Sequence, residues 1–344
     1  MARREAAPGG NIMVRPERRS TRRHVMRGAG AALLGGMASA PAMADTWPSR
    51  PVRMVSPSTG GITDLHIRIV AEKLAGRLGQ QVYVDGKPGA TGGISAQIAA
   101  QAPADGYTFL FIIASLIVTN PFVYEKLLYD IDRDFVPVAM MSKAGFAFLV
   151  RDGLPVRSMT ELAAHIKARP GKLTIGNIAP GSLAHLATEL YLQSFDGKVE
   201  LVPYRTMPQV VQDLARGDID AFMSPIGEAK PTVAGGKVRA LAITTAERHD
   251  SLPDVPTMIE QGYADFDVYG WYGVLAPKRT PRAIVERMNR EIASVTSAPE
   301  YRERMISLGA IPGDTGTPES FETIYKAEAR RWGALIRRLG IRLE

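Results

Sequence analysis

No cysteine occurs among the 344 residues, which excludes disulfides, thiol catalysis and thiolate-held metals. No apolar run after residue 45 approaches the ~20 residues that a membrane-spanning helix needs. Histidines are few, at 24, 66, 165, 185 and 249, and their spacing suits no metal. The P-loop, the G-x-S-x-G elbow and H-E-x-x-H are all missing. Asp130, Asp132 and Asp134 imitate the start of a calcium loop, but no glycine or distal glutamate follows in register, so they read as a solvated loop. With these templates gone, no cofactor, no metal and no enzymatic chemistry are expected.

An excess of one charge is also missing from most of the chain. The formal net charge is +7, yet residues 1–44 hold eight Lys/Arg against two Asp/Glu, while the remainder holds 34 against 33. The body is thus nearly neutral, and the high isoelectric point does not argue for nucleic acid. The basic segment reads as an export signal. Thr21-Arg22-Arg23-His24-Val25-Met26-Arg27 fits the twin-arginine pattern, Gly28 to Ser39 is weakly apolar, and Ala42-Met43-Ala44 is an A-x-A cleavage site before Asp45. A basic nucleic-acid arm would lack the apolar stretch and the cleavage site. Residues 1–44 are therefore expected to be removed, with the mature protein in the periplasm.

What the body does contain is alternation. Short β-rich runs at Val52–Val55, Val82–Val84, Tyr107–Ile113, Val136–Met141, Phe146–Val150, Leu173–Ile175, Glu200–Val202, Ala221–Met223, Val238–Ile243 and Val268–Leu275 are interleaved with helical patterns. Such alternation predicts α/β layers with mostly parallel sheets. Thr280-Pro281 and Thr317-Pro318 each read as a helix start, and Gly340 as a stop.

Two strand-to-helix turns carry what chemistry the sequence offers. In the first, Val52–Val55 breaks at Pro57, turns at Gly60-Gly61 and opens a helix near Thr63-Asp64. Unpaired N–H groups and the positive end of the helix dipole then converge on one spot, where an anion needs no charged side chain. In the second, Leu173–Ile175 runs through Gly176 to Gly181 into a helix capped by Ser182, with His185 one turn inside. Alone, this second turn is an ordinary capped helix. Paired with the first, the two helix starts form a pincer for a carboxylate. Gly86 to Gly93 reads as a turn before the helix Ile94–Gln101 rather than a phosphate cradle.

At this point the chain resembles the Bug or TctC family, the periplasmic substrate-binding components of tripartite tricarboxylate transporters. The resemblance rests on Trp47-Pro48-Ser49-Arg50-Pro51, Gly60-Gly61-x-x-Asp64, Lys87-Pro88-Gly89-Ala90-Thr91-Gly92-Gly93, Asp105-Gly106-Tyr107-Thr108 and Asn120-Pro121. It continues through Pro170 to Leu173, Gly181 to Leu186, Val202-Pro203-Tyr204, Gly217 to Asp220 and Leu252 to Thr257. It implies a two-lobed Venus-flytrap receptor with crossover strands, lobe 1 from residues 45–147 and 268–344 and lobe 2 from 148–267. It also implies a site. Ser58, Thr59, Gly60, Gly61 and Asp64 of the first turn and Ala179, Gly181, Ser182 and His185 of the second would grip a ligand carboxylate. Ser115, Thr119 and Tyr204 would line the rest of the cleft. Asp64 would hold water or a ligand donor, or cap its own helix.

The sequence departs from the family pattern where the substrate is read. Ser56-Pro57-Ser58-Thr59 replaces the usual Pro-Phe wall, Arg205-Thr206 stands where Lys-Gly is common, and Ser224-Pro225 where Asp-Asn is often seen. Arg205 is a candidate partner for a distal carboxylate, or a surface residue. The expected function is a monomeric receptor that delivers a small carboxylate to membrane permease subunits. Presentation of the ligand to a sensor is the alternative, and a neighbouring sensor-kinase gene would favour it. A secreted hydrolase using Ser182 and His185 is the third reading, with no orienting acid in view.

Overall fold

The computed structural model describes residues 47–342, apart from 179, 180, 205 and 265 and the side chain of Ala90. The expected export signal lies outside the described residues, as do Ala179 and Arg205. The chain begins with β1 (Val52–Ser56), α1 (Gly61–Leu78), β2 (Val82–Gly86), a 3₁₀ turn at Ala90–Gly92, α2 (Gly93–Ala100) and β3 (Thr108–Ile113). Three short helices, α3 (Ser115–Val118), α4 (Asn120–Val123) and α5 (Ile131–Asp134), lead into a long strand, β4 (Phe135–Arg151). Then come α6 (Met159–Ala168), β5 (Thr174–Ile178), α7 (Leu183–Gln193), β6 (Glu200–Tyr204), α8 (Met207–Arg216), β7 (Ala221–Pro225), α9 (Ile226–Ala234) and β8 (Val238–Ile243). The chain returns through β9 (Tyr269–Pro277) to α10 (Arg282–Ser297), α11 (Pro299–Ser307), β10 (Ala310–Pro312) and α12 (Pro318–Leu339).

These elements follow from spacing and punctuation. In α1, buried His66, Ile67, Val70, Ala71, Leu74 and Leu78 recur at helical intervals, and Gly79 ends the helix at φ 66°. α12 opens on a capping box between Thr317 and Ser320 and buries Phe321, Tyr325, Trp332 and Ile336. α10 starts one residue later than expected, with Pro281 as its N-cap.

The strands run in the order β2-β1-β3-β9-β4-β7-β5-β6, with β10 and β8 attached to β4. β1 pairs in parallel with β2 and β3, and β5 in parallel with β6 and β7. β4 and β9 run antiparallel to their neighbours and join the two halves. β4 pairs with β9 as far as Gly145 opposite Tyr269, and from Phe146 onward its partners are β7 and β8. The two runs read separately at Val136–Met141 and Phe146–Val150 are thus one strand. Ser142, Lys143 and Gly145 interrupt the apolar pattern without turning the chain, at the point where β4 passes from pairing with β9 to pairing with β7 and β8.

Packing is continuous across this crossing. One core gathers Met54, Ile67, Leu74, Phe109, Phe111 and Ile292 around the first half. Another packs Leu149, Val210, Leu214, Ile219 and Phe222 in the second. A third runs between them, from Leu116 and Trp332 to Leu186 and Tyr191. Each fully buried large side chain of this kind contributes about 1.5–3 kcal/mol. Asp220 ties the second half together, accepting from Arg151 Nε at 2.8 Å and from Thr174 N at 3.0 Å, which links β4, β5 and β7. Among the described residues no helix is long and apolar enough to cross a membrane.

Candidate functional site

A cleft of about 260 Å³ opens where the two halves meet, beside the crossing strands. From the first half come Thr63 on α1, Ser115 at the start of α3, Ala144 on β4, and Gly270, Trp271 and Tyr272 on β9. From the second come Asn177 and Ile178 on β5 and the opening of α7 from Ser182 to His185, with Thr188 a turn further on. Phe146, Leu201, Met207, Phe222 and Met223 add apolar wall, and Ile113, Ala114, Gly176 and Pro225 complete it.

The turn before α7 is built around its own cap. Ser182 Oγ accepts from His185 N at 3.3 Å and donates to Ile178 O at 3.2 Å. Gly181 sits at φ 80°, where only glycine is at ease, and a Cβ there would come within 3.1 Å of Val123. Its N–H donates to His185 Nδ1 at 3.0 Å, which keeps that nitrogen unprotonated and leaves the ring proton on Nε2, 3.5 Å from Glu189. Ser182 and His185 therefore form no hydroxyl–imidazole pair, and the arrangement lacks the activated nucleophile a hydrolase needs. Helix geometry leaves the N–H groups of Leu183 and Ala184 without intrahelical acceptors, and both residues line the cleft.

The sequence-predicted residues divide into three sets. Ser115, Ser182 and His185 line the cleft. Ala179 and Arg205 lie outside the described residues. The others line none of it. Ser58 Oγ donates to Gly60 O at 2.8 Å, and Thr59 packs on Gly86. Gly60 and Gly61 are exposed. Asp64 is held by Arg68 at 2.7 Å and does not cap its helix, whose N-cap is Gly60, with no side-chain cap. Thr119 donates to Ser115 O at 3.2 Å, Tyr204 OH donates to Asp213 at 2.8 Å, and Gly181 is occupied with His185. Thr63 is thus the first turn's contribution to the cleft.

The lining residues that sequence reasoning missed are mainly apolar or aromatic. Trp271 is buried, and its Nε1–H finds no acceptor among the described residues. Tyr272 OH lies 3.5 Å from Thr63 Oγ1, and burial pushes its phenol upward, so it stays a neutral donor at physiological pH. Beside the cleft, His66 is held down to about 3 by burial and lies 2.7 Å from Tyr301 OH. Burial likewise raises the Glu228 carboxyl, one of whose oxygens has no partner among the described residues. No cluster of three or more His, Asp or Glu among the described residues is placed to hold a metal.

This architecture matches a known one. The model of the "Tripartite tricarboxylate transporter family receptor" matches residues 66–341. The chain belongs to that family. A "UPF0065 protein in tcbD-tcbE intergenic region" of Pseudomonas sp. (strain P51) is 36% identical over 317 residues, covering 92% of this chain and 94% of the relative. Among solved structures, R. palustris Rpa4515 with adipate has 34% identity and a TM-score of 0.77, covering 86% of this chain and 98% of its own. MatC of Rhodopseudomonas palustris with bound malate has 29% identity and a TM-score of 0.73, covering 84% and 100%. Members of the family are periplasmic solute receptors rather than enzymes.

Proposed function

We propose that this chain is an extracytoplasmic receptor that closes on a small carboxylate and delivers it to the permease subunits of a tripartite tricarboxylate-type transporter. The supporting observation is the cleft, in which neutral donors from both halves converge beside the first turn of α7. Adipate and malate in the two R. palustris structures are consistent with a carboxylate ligand. Thr63, Ser115, Asn177, Ser182 and Thr188 would supply hydroxyl and amide donors, and Leu183 and Ala184 their backbone N–H groups. The lobes are residues 45–147 with 268–344, and 148–267. They would hinge at β4 near Gly145 and at the start of β9. Residues 1–44 act as a twin-arginine export signal, cleaved after Ala44, which brings the receptor to its membrane partner.

Thermal unfolding with a panel of mono-, di- and tricarboxylates tests this reading. A ligand at ~100 times its dissociation constant should add about 2.7 kcal/mol of stability. A panel in which no carboxylate shifts the transition would overturn it.

A further inference from the structure

We infer that the ligand of this cleft is a monocarboxylate with an apolar body, aromatic or branched, and that a second carboxylate at its far end is disfavoured. This rests on the cleft being the ligand site and names the class it selects. The polar lining is gathered on a few segments, Thr63 and Ser115 on one side and β5 with the start of α7 on the other. One carboxylate is well served there, because N–H and O–H donors and a helix start stabilise an anion without a counter-charge.

The rest of the lining has a different chemistry, and β6 and β7 flank β5 on either side. Phe146 projects from β4, Leu201 from β6, Met207 from the start of α8, and Phe222 and Met223 from β7. A Cβ placed on Gly270 would be 3.8 Å from Leu183 and 3.9 Å from Phe146, so the apolar wall begins beside the first residue of α7. No Lys, Arg, Asp or Glu lines the cleft among the described residues. A carboxylate seated against Phe146 and Phe222 would lose its hydration and meet no charged group, with the Asn177 amide on the adjoining β5 as the donor at hand, whereas a ring or branched chain would gain contact area. Methionines at two of these positions adapt to either shape. Trp271 adds a separate sign of a ligand. It lines the cleft at 2% exposure, and its indole N–H lacks an acceptor among the described residues. A ligand oxygen would relieve that unmet donor.

Matched pairs differing by one carboxylate test the inference: benzoate against terephthalate, and hexanoate against adipate, titrated calorimetrically into the purified protein. The monocarboxylate of each pair should bind at least about tenfold more tightly, given the penalty for burying an unpaired charge. Met207→Lys, which places a cation on the apolar wall at a half-exposed helix start, should narrow or reverse the preference. Equal or tighter binding of terephthalate and adipate would overturn the inference while leaving the carboxylate receptor intact. So would a dicarboxylate affinity that disappears in Arg205→Gln. Binding of none of the four, nor of malate or citrate, would overturn both readings.

Discussion

Gly227→Ala tests whether the two halves must meet closely to hold a ligand. Gly227 lies in the first turn of α9, in the second half, against the segment between α11 and β10 in the first. A Cβ at this position would stand 2.3 Å from Leu308 O and 2.8 Å from Ile62 Cδ1. From the other side, a Cβ on Gly309 would meet Gly227 N at 2.3 Å. The nearest atoms are backbone and cannot swing aside, so the added methyl must move one half relative to the other. Overpacking of this kind costs about 1–3 kcal/mol. Charged against the ligand-bound arrangement, that is roughly a 5–150-fold loss of affinity. Helix formation itself should not suffer, since alanine is a better helix former than glycine. Calorimetric titration with a carboxylate that binds the wild type reads the affinity, and circular dichroism melting checks the fold. Unchanged affinity in a folded variant would refute the reasoning and show that this seam plays no part in binding.

Three further outcomes follow from the same structure. His66 stays neutral in the fold down to about pH 3 but takes up a proton near 6.5 when unfolded. Its contribution is therefore complete above pH 6.5 and lost as the pH falls towards 3, about 2 kcal/mol by pH 5. Glu228, raised by burial, works in the opposite sense in both proteins, so urea melts at pH 7 and 5 should show a smaller acid loss for His66→Phe than for wild type; equal losses would remove His66 from the account. Asp220→Asn weakens the tie among β4, β5 and β7 and should cost about 1.5–3 kcal/mol in urea melts with ligand affinity retained; a specific loss of binding would move Asp220 into the site. Ser182→Ala removes a cap and a cleft hydroxyl together, so titration should show weaker binding alongside a stability loss of about 1 kcal/mol; full affinity would exclude its hydroxyl as a ligand donor.

Much of the fold was legible because its signals are local. Strand runs, helix stripes and the glycine stop at Gly340 appear in the sequence at nearly their observed places. The continuity of β4 was not legible, since Lys143 and Gly145 look like a break until β9, β7 and β8 are seen pairing on either side of them. β10 was missed because three residues carry no periodicity. The site was partly legible for a related reason. Ser182 and His185 stand at a capped helix start, a local pattern, and both line the cleft. The conspicuous glycines at 60 and 61 are equally local, yet they form an exposed turn, and Thr63 beside them reaches the cleft instead. Asp64 looked like a cap or a ligand partner, but Arg68 one turn along captures it, a competition that spacing alone does not decide. The Asp105-Gly106-Tyr107 and Gly217-x-x-Asp220 motifs are structural here: Asp105 accepts from Tyr107 N at 3.1 Å, and Asp220 ties strands. Phe146, Phe222, Met223 and Trp271 read only as parts of strand runs, because whether an apolar side chain faces a core or a cleft depends on strands distant in sequence.

The central claim is that this cleft holds a carboxylate at the start of α7 and its apolar body against β4 and β7. Anomalous diffraction from crystals grown with 4-bromobenzoate tests it most directly. The account predicts one bromine peak among Phe146, Phe222 and Met223, with the carboxylate directed at Ser182, Leu183 and Ala184. A bromine outside the cleft, or a carboxylate turned towards Phe222, would contradict it.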